Sequence, residues 1–137
     1  MQNVNVEYIN PEGLPKNPGF SQAVVTSGAV KTIYIGMQNA VDSTGIVVGR
    51  GDVAAQTEQA LKNLQACLEA TVASPENLVM WNIYLCAGQP IQPAFAAFQK
   101  WWGTRVNPPA NTVLFVSGMP VPEFLVGIDA VAVVSVG

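Results

Sequence analysis

The chain has 137 residues, half of them apolar, only 11% charged, and a formal net charge of −3, whereas ordinary globular chains are roughly 25% charged. That length suits one domain spanning residues 1–137. No apolar run reaches the ~18 residues of a membrane span, and six scattered Lys and Arg do not make the clustered positive charge of a nucleic-acid surface.

The surplus of apolar residues is expected to be buried between subunits. Cys67 and Cys86 lack metal-ligand spacing and there is no histidine. No metal site is expected, and both thiols read as buried and free. No export signal is read at the start, so a cytoplasmic protein is expected.

The first strand is expected at Val6–Ile9, followed by a loop rich in Pro, Gly and Asn. Ala23–Ser27 and Thr32–Gln38 are strand-like, with Gly28 turning the chain between them. Val41–Gly51 is a glycine-bearing loop, but Gly45, Gly49 and Gly51 do not form a dinucleotide fingerprint, and no cofactor is expected. Asp52 is a good N-cap for a helix. Thr57, Ala60, Leu61, Leu64, Leu68 and Thr71 recur along that helix at helical spacing.

Leu78–Cys86 alternates as a strand, with Val79, Trp81, Ile83 and Leu85 on one face and Met80, Asn82, Tyr84 and Cys86 on the other. Both faces are rich in apolar residues, so both are expected to be covered. Pro93 suits the first turn of a second helix, whose Phe95, Phe98, Trp101 and Trp102 share one side. Thr112–Ser117 and Leu125–Val136 complete the strands. The order β-β-β-α-β-α-β-β fits an α+β fold, a single sheet with two helices on one face. Its bare face would then meet neighbouring subunits.

Two segments carry a resemblance. Gln56-Thr-Glu-Gln-Ala-Leu-Lys-Asn63 and Asn107-Pro-Pro-Ala-Asn-Thr-Val-Leu-Phe-Val-Ser-Gly118 are similar to the signature of the reactive intermediate deaminase (Rid, or YjgF-like) family. The likeness runs from about residue 20 to residue 134. It implies a chorismate-mutase-like fold, a homotrimer with three sheets packed into a central barrel, and a small-molecule cleft at each subunit boundary. It also implies hydrolysis of an enamine or imine, with a binding protein that does no chemistry as the alternative.

The family's cleft uses a loop tyrosine, a Ser-Gly pair, an arginine after Pro-Ala and a glutamate on the last strand. The matching positions here are Phe20, Gly36-Met37, Asn111 and Gly127. The candidate binding set is therefore Phe20, Gly36, Met37, Arg105, Val113 and Gly127, with Asn111 and Asp129 as the candidate catalytic groups. Each departure has a chemical consequence. Phe20 keeps the ring without the phenolic hydroxyl, and Met37 is expected to narrow or cap the cleft. Asn111 has no charge to pair with a carboxylate, and Gly127 has no side chain to hold a water.

Arg105, a few residues before Asn111, is the nearest cation that could replace the missing charge. Arg50, before the first helix, is a weaker choice. Glu123 and Asp129 are the nearest acids to the lost glutamate, and Asp129 points to the same strand face as residue 127.

Overall fold

Residues 5–136 are described by a computed structural model, so the ends of the expected 1–137 domain lie outside the described residues. Along the chain run β1 (Asn5–Ile9), β2 (Ala23–Ser27), β3 (Val30–Gln38), α1 (Val53–Ala70), β4 (Leu78–Cys86), α2 (Ile91–Trp102), β5 (Ala110–Val116) and β6 (Val126–Ser135). This is the order the sequence implies.

Helix α1 begins where Asp52 accepts a hydrogen bond from Ala55 N at 3.1 Å, a cap worth about 1 kcal/mol. Its buried stripe includes Leu61, Leu64 and Leu68, each contributing about 1.5–3 kcal/mol when fully withdrawn from water. Helix α2 buries Ala94, Ala97 and Phe98. Two small residues beside a large one let it lie close to α1.

The strands divide between two ladders. β1 and β2 pair with each other, while the main sheet has the order β3-β6-β4-β5. A turn at Gly28, with φ 90°, joins the ladders covalently, but β2 turns its backbone groups to β1 and β3 turns its own to β6. The single sheet expected from the sequence is thus a four-stranded mixed sheet with a separate two-stranded arm. β4 and β5 run parallel, with α2 as the crossover between them, and β6 is antiparallel to both of its neighbours.

Both helices lie on one face of this sheet. Trp81 of β4 meets Phe98 of α2 edge-on at 5.2 Å between ring centroids. Trp101 and Trp102 lie 5.9 and 6.0 Å from Trp81, the core packing their helical spacing implies. The register of β4 shifts between Leu78 and Met80. Leu78, not Val79, therefore joins Trp81, Ile83 and Leu85 in the core, because an inserted residue inverts the alternation beyond it. The opposite face is open in the single chain. Tyr34 on it is 80% exposed and Leu114 47%.

Candidate functional site

Ser21 organises one side of the site. Its hydroxyl donates to Pro108 O at 2.6 Å and its backbone N–H to Pro109 O at 3.2 Å. The loop ahead of β2 is thereby fastened to the start of β5. Asn17 Oδ1 accepts from Gly19 N at 2.7 Å and tightens the loop tip. Phe20 is carried by this loop to the mouth of a cavity shared with Asn111 and Val113 of β5. Trp81 and Ile83 form its floor, and Phe95, Phe98 and Gln99 of α2 close its side.

The cavity measures about 310 Å³, at the small end for a site that takes a small molecule. Its polar groups are the amides of Asn17, Gln99 and Asn111 and the indole of Trp81; no charged side chain lines it. Trp81 Nε1 is buried without a hydrogen-bond acceptor.

A second cluster occupies the open face. β3 carries a bulge between Ile35 and Gln38, where Ile35 pairs with Ala130 and Gln38 with Ile128. Gly36 and Met37 lie within it. Gly36 has no neighbour near the position of a Cβ, whereas a Cβ on Gly127 would lie 2.5 Å from Met37 Sδ and 2.9 Å from its Cγ. Met37 thus occupies the space a side chain at 127 would need. Asn39 borders the same spot and donates to Val126 O at 3.0 Å.

Asp129 lies on the same face, two residues along β6. Its Oδ1 accepts from Asn82 Nδ2 at 2.8 Å and its Oδ2 from Tyr84 OH at 3.1 Å. Desolvation and then the bond and charge of Asp129 raise the pKa of Tyr84 above its ordinary value, so the phenol stays protonated as the donor.

These two clusters lie on opposite sides of one sheet. Asn111 is paired in register with Trp81, on the helix side. Gly127 and Asp129 are paired with Tyr84 and Asn82, whose side chains alternate to the other side. Phe20, Asn111 and Val113 are brought together within one chain, as are Met37, Gly127 and Asp129. The two sets do not meet within one chain.

Arg105 goes elsewhere. Its Nη1 donates to Trp101 O at 2.8 Å and Trp102 O at 3.0 Å, and its guanidinium stands 5.8 Å from the centre of the Trp101 ring. Glu76 Oε2 lies 3.4 Å from Nε, an ion-pair distance whose geometry leaves Nε without a hydrogen bond. The arginine closes the C-terminus of α2, where carbonyls and the helix dipole favour a cation. Arg50 lies 3.8 Å from Glu123 in an exposed ion pair.

The sequence puts Trp81 on a covered strand face and Phe95 and Phe98 on one side of a helix, and assigns Gln99 no role. Gln99 is the outward neighbour of Phe98 on α2, a position that periodicity alone marks as surface. Tyr84 and Asn82 were legible as one strand face, and their partner Asp129 only through register.

A mixed sheet with two helices on one face, a cavity at its edge strand and a Pro-Pro-Ala entry to that strand define the class. Residues 14–134 match the family described as Endoribonuclease L-PSP, and the chain belongs to this family, the Rid or YjgF-like proteins. It is 31% identical to a RutC family protein of Pyrococcus horikoshii over 128 residues, covering 92% of this chain and 96% of that one. A solved structure of a conserved Rid family protein of unknown function from Yersinia pestis is 35% identical, with a TM-score of 0.81, covering 93% of this chain and 98% of the other. A putative endoribonuclease from Thermotoga maritima is 28% identical with a TM-score of 0.68, over 96% and 98% of the two chains. Among the described residues, no helix is long and apolar enough to cross a membrane.

Proposed function

We propose that the protein is a cytoplasmic homotrimer whose intersubunit clefts bind an uncharged small molecule without hydrolysing it. The observation that carries this reading is the cavity beside Asn111, which no charged side chain lines. A carboxylate placed there would lose hydration without gaining a countercharge, and removing a charge-assisted bond costs about 1.5–3 kcal/mol. The space at Gly127 is filled by Met37, leaving no group there to hold a water. The separation of the two clusters across the sheet suits a cleft in which the edge strand of one subunit meets the open face of the next.

The deaminase reading draws on the family scaffold and on the shared face of Asp129 and Gly127. Each Asp129 oxygen already accepts one bond, from Asn82 and Tyr84, which leaves fewer acceptor sites for a water. RNA, raised by the family description, is disfavoured by the net charge of −3 and the lack of any histidine to serve as an acid or base near neutral pH.

The deciding assay is turnover of 2-iminopropionate by the native protein. No rate above the uncatalysed background is expected. A rate that scales with protein and disappears in Asn111→Leu would overturn the reading.

A further inference from the structure

We infer that the cavity under α2 takes a planar aromatic ligand carrying a neutral amide group, a carboxamide or a ring lactam. The inference rests on the reading of the cleft as a binding site and specifies its ligand. Phe20, Trp81, Phe95 and Phe98 supply aromatic walls, and the lining also carries the primary amides of Asn111 and Gln99, beside Asn17, whose amide oxygen is taken by Gly19. Among the described residues, neither of these two amides is bonded to another protein group.

Aromatic walls favour a flat ring through offset and edge-on contacts. A primary amide presents a donor and an acceptor on one edge. The group that satisfies both at once is another amide edge, N–H to C=O and C=O to N–H. A carboxylate offers acceptors only and brings a charge that nothing in the lining balances. A plain hydrocarbon ring would fill the walls and leave the Asn111 amide stripped of water and unpaired, which is costly in a confined site.

Selectivity should therefore rank benzamide above benzoate and toluene, three probes that share one ring and differ in the substituent. Isothermal titration of the native assembly should show benzamide binding at least tenfold tighter than benzoate at neutral pH. Asn111→Leu, of similar size, should abolish that preference. Gln99→Leu, on an exposed helix position where misfolding is not at issue, should weaken benzamide severalfold. Sedimentation and thermal unfolding of both variants check that each is folded.

Equal affinity for benzamide and benzoate would overturn the inference, as would no binding of either. So would a preference that survives in both variants. The turnover assay on the same samples separates the two claims. Hydrolysis of 2-iminopropionate defeats the non-catalytic reading, whereas a failed amide preference with no hydrolysis defeats this inference alone.

Discussion

Met37 lies where a side chain on Gly127 would have to be: a Cβ at 127 would come 2.5 Å from the Met37 sulfur. The bulge in β3 that contains Met37 sets it beside β6, so positions 37 and 127 are coupled by packing. A larger residue at 127 requires Met37 to shift or to be replaced by a smaller one.

This complementarity governs whether a carboxylate can be introduced at position 127. Gly127→Glu alone should lower stability by about 1 kcal/mol, the low end of overpacking costs, because a methionine can partly swing aside. Met37→Gly should relieve most of that loss in the double variant, a coupling that urea unfolding of the four-member cycle measures. Hydrolysis of 2-iminopropionate is expected only when Asn111→Arg is added to both. Anchoring without an aligned water gives binding but little rate. If Gly127→Glu is neutral with Met37 in place, the two side chains do not compete.

The open face predicts assembly. Sedimentation equilibrium of the native protein should give three times the 14.5 kDa chain mass. Leu114→Asp, placing a charge on a half-exposed position of that face, should shift the population to monomer, because burying an unpaired carboxylate opposes association. Native protein sedimenting as a monomer at micromolar concentration would remove the interface.

Arg105 is predicted to stabilise the fold without touching the ligand. Arg105→Met should keep the hydrophobic stem, lose the bonds to Trp101 O and Trp102 O and cost about 1 kcal/mol. Affinity for the cavity's ligand should not change. A large loss of affinity at unchanged stability would make the arginine part of the site.

Alkaline pH tests the Asp129 cluster. The pKa of Tyr84 is raised in the folded protein, so above about pH 10, where an unfolded tyrosine ionises, the folded state holds a proton the unfolded state has lost. Stability from this group is complete below that pH and declines as pH rises through the folded value. Tyr84→Phe should flatten the decline and cost about 1 kcal/mol at neutral pH through the lost bond to Asp129. Urea midpoints from pH 8 to 11 in both proteins give the comparison, and parallel curves would refute the linkage.

The sequence by itself determined the order of the elements, the Asp52 cap and the helical stripe of α1, because caps and periodicity act over a few neighbouring residues. It also determined the family, since the Pro-Pro-Ala segment and the α1 motif are local strings. The tertiary structure decided which side of the sheet each candidate occupies. Asn111 and Gly127 are 16 positions apart on strands that are not neighbours. Their relation depends on the register of β5 against β4 and of β4 against β6, which no local pattern encodes. The bulges at Val79 and Met37 each add one residue and reverse the alternation that sequence reading assumes. Arg105 is close to Asn111 in sequence, yet the end of α2 offers it unpaired carbonyls and a tryptophan face, and that local satisfaction holds it away from the cavity.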